Sequence, residues 1–444
     1  MFFSLLKSKQ PPTPQFLGKG NISVERKTPT RFCRLRRIWA RHKLKIIVLL
    51  FFIIVIVGVF ATTVFGGNNT GGQSVNVNSD VQQDFNRGIE DILNELDLAS
   101  LEEWVNAFSP EQLAVFGQAS VLERVRMVIS GEISVDSGGF FRYLMQVIGI
   151  NLVGFLPFIL GVLAIAISIN IVHSLKGKMA SESVGNIVSF VGVALVATIL
   201  AVQLMAVLLA ASNMLTSLTR QMNTAFPILL TLMAGAGAMR SAAVYQPAVA
   251  ILGNGIMTLI SVAIIPIFIV TNVFTVVGNL SDTVRLKKMG NFFSSSAKWI
   301  LGTAFFLFIA FLSVQGITAA IHDGVSVRTA RFAINRYVPV IGGYLSEGFN
   351  LIMAGSSLVK NAIGFTAVLV LFLTVLPVIA QTIIFSLSLK MAGAIAEPLG
   401  EKRISDILSG VGKNMGTLIA VLIGAVFLYF VFLMLVIATG NPSL

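Results

Sequence analysis

The chain has 444 residues, of which 55% are hydrophobic and only 12% are charged, and its mean hydropathy is +0.86. A soluble domain carries about twice that fraction of charged residues, so the composition argues against a soluble enzyme. A single cysteine, Cys33, excludes a disulfide framework and a cysteine-based zinc site, and the three histidines show no metal-ligand spacing.

The basic residues are concentrated at the start of the chain. Residues 1–45 hold 12 of the 32 Lys and Arg residues, whereas residues 66–142 hold 12 of the 20 acidic residues and no Lys. The positive-inside rule places the basic tail in the cytoplasm and the acidic region outside. The net charge of +12 therefore indicates membrane orientation or contact with anionic lipid, rather than binding to nucleic acid.

The apolar run 46–65 separates these two regions. Val59-Phe-Ala61 is a weak cleavage site, and the basic segment before the run is longer than the n-region of a usual signal peptide. The run is predicted to be a signal peptide or a signal anchor, and its length favours an anchor.

Short amphipathic helices are predicted in the acidic region after a polar linker over residues 66–78. Capping-box patterns, in which a Ser is followed three residues later by Glu or Gln, occur at residues 100–103, 109–112 and 120–123. Two interpretations stay open for residues 66–142. They form a small extracytoplasmic helical domain that packs on itself and on the membrane surface, or they form a docking platform for an extracytoplasmic partner.

The rest of the chain, residues 143–444, is predicted to be a polytopic membrane domain. Its apolar runs are long enough to cross a bilayer as helices. The basic loops 173–185, 280–298 and 389–414 alternate so that they share the cytoplasmic side with the basic tail. The fold class is therefore an all-α integral membrane protein, a helical bundle with about six core transmembrane helices. The six spans are residues 146–172, 186–212, 251–279, 299–321, 361–388 and 415–439.

A short pattern occurs twice in the membrane domain. Each copy has Asn-x-x-x-Pro, then Met-Ala-Gly, then a basic residue, and lies between two apolar runs. Duplication would give two parallel units, about residues 184–298 and 299–413, whereas the alternative is chance similarity between short strings. The first copy contains Asn223, Pro227, Met233-Ala-Gly235 and Arg240, and the second contains Asn335, Pro339, Met353-Ala-Gly355 and Lys360.

Both copies lie in segments that are too apolar to be ordinary outside loops. Residues 213–250 and 322–360 are predicted to be outward-facing broken or re-entrant segments, because proline and glycine interrupt helices and irregular backbone at membrane depth must be covered by protein or water. The predicted breaks are Pro227, Gly235, Pro339, Gly342 and Gly343.

Charged residues that border these segments are the candidates for lining a pore or contacting a partner. Ionisable groups at membrane depth are costly, so they usually pair or line water. For the basic residues between 328 and 336, an amphipathic surface helix is the alternative to pore lining. The candidates are Arg220, Arg240, Asp323, Arg328, Arg331, Arg336 and Lys360.

On the cytoplasmic side, Glu397, Lys402 and Arg403 belong either to a solvated loop or to a contact with a cytoplasmic partner. The sequence contains no P-loop, no carboxylate pair and no nucleophile–base set. It therefore predicts no enzyme activity, no catalytic residue, no metal site and no cofactor. If the process consumes ATP, another subunit must hydrolyse it.

Five stretches carry a likeness to a known family: residues 313–344, 243–249, 295–302 and 402–406, together with a pattern between residues 98 and 117. They resemble the stage III sporulation protein AE family, and the likeness covers about residues 80–441. The basic tail departs from the family pattern, since members usually begin near a short signal sequence.

The resemblance implies a polytopic subunit of a channel, or feeding-tube, complex in the mother-cell membrane around the forespore of a sporulating bacterium. It implies as partners the other membrane subunits of that complex, a cytoplasmic ATPase subunit and, indirectly, a forespore membrane protein, besides the lipid bilayer. The resemblance implies no catalytic residues for this chain. Two alternatives remain, an autonomous secondary transporter and a scaffold that does not conduct.

Overall fold

The computed structural model describes residues 79–106, 108–116, 119–131, 137–175, 182–280, 286–337 and 342–439. The basic tail, the apolar run 46–65, the polar linker and Pro339 lie outside these residues. The described residues are predominantly helical and belong to one compact unit, Asn78–Leu444.

Four short helices come before the long apolar ones. They are α1 (Ser79–Glu95), α2 (Ala99–Asn106), α3 (Pro110–Phe116) and α4 (Val121–Ser130). The capping prediction is confirmed at two of them. Ser120 Oγ accepts a hydrogen bond from the backbone N–H of Glu123. Ser109 Oγ accepts from the backbone N–H of Gln112 over 3.3 Å, and Gln112 Oε1 accepts from the backbone N–H of Ser109 over 2.8 Å. The capping prediction is wrong at Ser100, because α2 already begins at Ala99. The backbone N–H of Ala99 donates a hydrogen bond to the Asp97 carboxylate.

The following helices carry the apolar sequence, and π-helical stretches at Val249–Asn254 and Ile260–Ile264 flank the short helix Gly255–Leu259. The helices are α5 (Ser137–Leu175), α6 (Glu182–Gly235), α7 (Met239–Ala248), α8 (Gly255–Leu259), α9 (Ile265–Leu280), α10 (Lys287–Tyr337), α11 (Gly342–Ala396) and α12 (Lys402–Ala438).

Six stretches of these helices are long and apolar enough to cross a membrane, which confirms the predicted number of spans. Two of them, of 49 and 50 residues, measure about 75 Å as α-helix, far more than the roughly 30 Å hydrocarbon core of a bilayer. These two helices therefore extend beyond the lipid. The stretches are Gly138–Val172, Ile187–Gly235, Gly255–Leu280, Lys288–Val314, Glu347–Ala396 and Lys402–Ala438.

Helices α11 and α12 form the centre of the bundle. From Gly355 to Ser386, no residue of α11 is exposed, because α1, α4, α5, α6 and α12 all pack around it. Phe432 of α12 lies at the centre of an aromatic cluster, 4.6 Å from the ring of Phe226 and 6.1 Å from that of Tyr245. Such ring pairs contribute about 0.5–1.5 kcal/mol each beyond their burial.

The predicted interruption at Pro227 is wrong. Pro227 lies inside α6, which continues to Gly235. A proline inside a helix costs about 3 kcal/mol, but the side chains of Phe226, Leu229 and Met233 are fully buried beside it, and each such burial stabilises by about 1.5–3 kcal/mol. Packing therefore outweighs the lost backbone hydrogen bond.

The two broken segments also differ from each other. In the first, α6 ends at Gly235 and α7 begins at Met239. In the second, α10 ends at Tyr337, α11 begins at Gly342, and Gly343 lies in its first turn. Met353-Ala-Gly355 is therefore inside a helix, whereas Met233-Ala-Gly235 ends one. The two copies of the pattern do not have the same local fold.

The acidic helices pack directly on the long helices. Ile89 and Leu93 of α1 are buried, and a Cβ atom at Gly355 of α11 would lie 3.5 Å from Ile92 and 3.7 Å from Ile89. Helix α4 also packs on α11, and α2 packs on α6. Helices α1, α3 and α4 therefore cover part of α11.

Candidate functional site

The exposed face of α6 changes from apolar to polar near its middle. Up to Leu209 it exposes large apolar side chains, among them Ile187, Leu195 and Met205. Between residues 210 and 235 it exposes no large apolar side chain. The exposed residues there follow one another at three- and four-residue intervals and form a single helical face that ends at Gly235. The residues of this face before Gly235 are here named the α6 polar stripe: Asn213, Thr216, Arg220, Asn223, Pro227 and Thr231.

This change locates the end of the lipid-facing part of α6. Residues 187–209 span about 34 Å as helix, enough for one crossing. Exposed Arg and Asn side chains are costly in hydrocarbon, so the polar stripe must face water, lipid headgroups or a polar partner.

The repeated pattern begins on this stripe. The Asn223 amide donates to Asn254 Oδ1 over 3.2 Å, and the Asn254 amide donates to Asn223 Oδ1 over 2.9 Å. Asn254 ends a π-helical stretch, and such stretches occur frequently at functional sites. The paired amides fasten the polar stripe to the segment that follows α7.

A tight turn ends α6. The N–H of Ala238 bonds to the carbonyl of Met233, and the N–H of Gly237 bonds to that of Ala234, the two bonds of a Schellman motif. Gly237 has φ +91°, a left-handed conformation that favours glycine. The turn redirects the chain into α7.

The same turn brings the two copies of the pattern together. A Cβ atom at Gly237 would lie 2.6 Å from Met353 Cε, and one at Gly235 would lie 2.8 Å from Ser356 Oγ. Met353 and Gly355 belong to the second Met-Ala-Gly, and α1 covers Gly355 from the acidic region. The two short patterns are thus parts of one junction rather than separate sites.

The charged candidates are distributed around this junction in different environments. Arg220, Arg240 and Arg328 are exposed, whereas Lys360 is fully buried. Arg240 and Lys360, at corresponding places in the two copies, are therefore not equivalent. Asp323, Arg331 and Arg336 lie in α10, with side chains outside the described part of the structure.

Lys360 fastens the end of α12. Its Nζ donates a hydrogen bond to the backbone carbonyl of Thr439, the residue that caps the C-terminus of α12. A cation at a helix C-terminus is favourable by about 0.3–2 kcal/mol because it meets the negative end of the helix dipole. Among the described residues, no carboxylate lies within 4 Å of Lys360. In this structure Lys360 therefore joins α11 to the end of α12.

At the opposite end of the bundle, α11 and α12 meet in a turn that contains Gly400 at φ +85°. Glu397 and Lys402 are exposed there, and Arg403 is half-buried. The exposed residues of α12 continue from Lys402 through Asp406 and Ser409 to Lys413. The three cytoplasmic candidates thus lie at the start of a longer polar face.

Three buried or half-buried amide contacts were not anticipated from the sequence. Gln221 donates to Thr374 Oγ1 over 2.9 Å, and Asn414 donates to Thr275 Oγ1 over 2.9 Å and to Asn272 Oδ1 over 3.2 Å. The available signal was an Asn or Gln inside an apolar run, because such side chains commonly hydrogen-bond between membrane helices. Within the described ranges, no group of three or more His, Cys, Asp and Glu side chains could hold a metal ion.

Comparison with known proteins gives one family. The family model described as stage III sporulation protein AE matches residues 119–440. Stage III sporulation protein AE of Bacillus subtilis (strain 168) is 27% identical over 219 residues, which cover 49% of this chain and 55% of that relative. The chain thus spans little more than half the length of the relative. No solved structure matches the chain. The resemblance expected for residues 80–118 lies outside the family match.

Proposed function

The chain belongs to the stage III sporulation protein AE family, and on this premise we propose that it is a membrane subunit of a channel complex that links mother cell and forespore. A role in sporulation and a multi-pass membrane location follow from the family and from the six apolar helices. The conduit, and a location in the mother-cell membrane around the forespore, are the proposal.

The observation that carries this proposal is the α6 polar stripe. It continues a membrane-spanning helix beyond its lipid-facing part and presents Arg220 and several amide and hydroxyl groups on one face. Polar groups of this kind suit contact with water or with a second polar subunit.

The position of the stripe favours a subunit over a solitary transporter. The stripe is on the outer surface of the bundle, whereas the centre, around α11 and α12, is closely packed. A cavity of about 240 Å³ between α6 and α9 is lined by apolar side chains apart from Asn272. A polar path that uses the stripe would therefore have to form between this chain and its neighbours.

The proposed partners are the other membrane subunits of the complex, with a cytoplasmic ATPase subunit on the side of Glu397, Lys402 and Arg403. A forespore membrane protein would be reached indirectly on the opposite side. We infer no catalytic role for this chain; energy would come from the ATPase subunit.

The test uses single cysteines in a Cys33→Ser background. Asn213→Cys and Thr216→Cys place thiols on the polar stripe, and Leu209→Cys, one turn earlier on the apolar face, is the matched control. Each variant is probed with a small and with a bulky membrane-impermeant thiol reagent. The chain is expressed alone and, separately, in sporulating cells that contain the whole complex.

We expect both reagents to label the stripe in the isolated chain and neither to label Leu209→Cys. In the complex, a conduit predicts that the small reagent still labels the stripe whereas the bulky one does not. If neither reagent labels the stripe in the complex, the scaffold alternative is favoured, in which the stripe packs against another subunit without water between them. Full labelling by both reagents in assembled complexes would contradict the proposal.

A further inference from the structure

Helix α12 exposes different side chains from the other membrane-spanning helices. Helices α5, α6, α9 and α10 expose large apolar side chains along their membrane-spanning stretches, whereas no large apolar side chain is exposed on the described part of α12. The exposed residues in the first half of α12 follow one another at three- and four-residue intervals and form one line along the helix. They are Lys402, Asp406, Ser409, Lys413, Gly416 and Ala420.

Helix α10 carries a similar line beside its apolar face. The large side chains of Phe292, Trp299 and Phe306 are 61%, 71% and 70% exposed and suit contact with lipid. A second exposed line of the same helix has only polar or small residues, again at three- and four-residue intervals. These residues are Lys288, Asn291, Ser295, Lys298 and Gly302.

The two lines meet at one contact. Gly424 follows Ala420 by four residues on α12, and Phe305 follows Gly302 by three residues on α10. The ring of Phe305 lies directly against Gly424, where it occupies the space of a side chain. Both lines therefore border the same space between α10 and α12, and Phe305 closes one end of that space.

Helix α9 lies behind both lines near the start of α10 and α12. A Cβ atom at Gly290 of α10 would lie 3.8 Å from Thr275 Oγ1, and one at Gly410 of α12 would lie 2.6 Å from Thr275 Cγ2. Thr275 Oγ1 also accepts a hydrogen bond of 2.9 Å from Asn414 of α12. The space between the two lines is here named the α10/α12 cleft. The two lines form its walls, and α9 forms its floor.

The α10/α12 cleft lies at membrane depth. Ser386 Oγ donates a hydrogen bond of 3.0 Å to the carbonyl of Gly412, the residue before Lys413. The ring of the adjacent Phe385 stacks at 5.1 Å on that of Phe155, which is near the middle of the exposed apolar part of α5. Lys413 is therefore about midway across the lipid-facing part of the bundle. From its first to its last residue the α12 line is about 27 Å long, close to the thickness of the hydrocarbon core.

Positive charge predominates in the cleft. Its two lines carry four Lys residues and one acidic residue, Asp406. Within the described ranges, no carboxylate lies within 4 Å of Lys298 or Lys413, the two that lie deepest. Lysines near helix ends reach the lipid headgroups, but these two lie inside long apolar stretches and need water or an anion instead. A confined space with this charge attracts anions and raises their local concentration.

We propose that the α10/α12 cleft is a water-filled vestibule, open to the cytoplasm, that binds small oxyanions at Lys298 and Lys413. Phosphate- and carboxylate-bearing solutes accept the three N–H donors of an ammonium group, and lysine is a common phosphate ligand. The cytoplasmic opening follows from the predicted orientation, in which α10 and α12 begin on the cytoplasmic side. The role of the vestibule as the entrance of the conduit rests on the proposed function, whereas water access and anion preference are properties of this chain alone.

The first test measures water access in the chain expressed alone, in inverted membrane vesicles and a Cys33→Ser background. Gly302→Cys and Gly416→Cys place thiols deep in the cleft, where a Cβ atom meets nothing within 4 Å. Phe306→Cys, one turn after Gly302 on the lipid-facing side of α10, is the matched control. A membrane-impermeant thiol reagent should label both cleft cysteines and leave Phe306→Cys unlabelled.

The second test measures charge preference with two reagents of similar size, an anionic sulfonatoethyl methanethiosulfonate and a cationic trimethylammonium-ethyl methanethiosulfonate. Both attack the same thiolate, so the ratio of their rates, divided by the ratio for free cysteine, does not depend on how much of the thiol is ionised. At Gly416→Cys the anionic reagent should be favoured by about tenfold, and inorganic phosphate at constant ionic strength should slow it. Lys413→Gln and Lys298→Gln should each reduce the preference, whereas Arg126→Gln, in α4 of the acidic region, should leave it unchanged.

Failure to label both cleft cysteines would overturn the vestibule, because lipid or packed side chains would then fill the cleft, and equal labelling of Phe306→Cys would overturn it as well. Labelling without a charge preference would overturn the anion site. Thermal melting in detergent identifies the folded variants, and either cleft cysteine alone decides the test. If the cleft passes these tests and the α6 polar stripe fails its own, the vestibule stands and only its role as a conduit entrance is lost.

Discussion

Gln112 Nε2 donates a hydrogen bond of 2.7 Å to the backbone carbonyl of Leu373, four residues before Pro377. In an uninterrupted helix, the N–H of residue 377 would bond to that carbonyl, but proline has no N–H. The same Gln112 side chain caps α3 through its Oε1. The side-chain amide of Gln112 thus caps α3 and also supplies the hydrogen bond that the carbonyl of Leu373 lacks because of Pro377.

This arrangement predicts a specific coupling between Gln112 and Pro377. Gln112→Ala removes a cap and leaves a buried carbonyl without its donor, so it should lower the free energy of unfolding by about 1–3 kcal/mol. In a Pro377→Ala background the helix supplies its own N–H, so the same substitution should cost about 1 kcal/mol less. Chemical unfolding in detergent of the four proteins of this cycle measures the coupling. A coupling of zero would show that Gln112 does not replace the missing N–H.

The turn at Gly237 predicts a strong effect of a single methyl group. Gly237→Ala forces a side chain into a left-handed conformation and against Met353, so it should destabilise the protein by about 2 kcal/mol or more. The matched control is Gly88→Ala in α1, where a Cβ meets nothing within 4 Å and the higher helix propensity of Ala should stabilise by about 0.5–1 kcal/mol. Thermal melting in detergent compares them. Equal melting temperatures would contradict the predicted packing of the turn on α11.

Lys360 predicts a local effect at the end of α12. Lys360→Met keeps much of the side-chain volume but removes the hydrogen bond to Thr439, so amide hydrogen exchange in residues 435–439 should become faster. Lys360→Glu should prevent accumulation of the protein, because it buries a negative charge beside backbone carbonyls. The exposed Arg220→Met serves as the control and should change stability by less than about 0.5 kcal/mol. If amide hydrogen exchange in residues 435–439 is the same in Lys360→Met as in the wild type, the hydrogen bond from Lys360 does not stabilise the end of α12.

The predicted orientation can be checked at Ser295 and Ser409, which are both exposed near the basic ends of α10 and α12. In a Cys33→Ser background, cysteines at these positions should resist an impermeant thiol reagent added to intact cells and react after permeabilisation. Labelling of either cysteine in intact cells would reverse the assigned topology.

Several elements could be predicted because they depend on neighbouring residues alone. The caps at Ser109 and Ser120 follow from local spacing, and the six spans follow from runs of apolar residues that must satisfy their own backbone groups. The continuation of α6 through Pro227 could not be predicted, because the intrinsic cost of proline is overcome by side chains that come from other helices. The candidate site was predicted in part: the segments were identified, but not the contact between Gly237 and Met353.

By itself the sequence determined that residues 138–438 are predominantly helical and contain six stretches long and apolar enough to cross a membrane, because hydrophobicity and helix formation act over short distances along the chain. Only the tertiary structure decided which charged residues are exposed and which are buried. Arg240 and Lys360 occupy matching places in two similar patterns, yet one lies at the surface and the other under α12. The physical reason is that burial depends on residues distant in the sequence, and no local pattern contains that information.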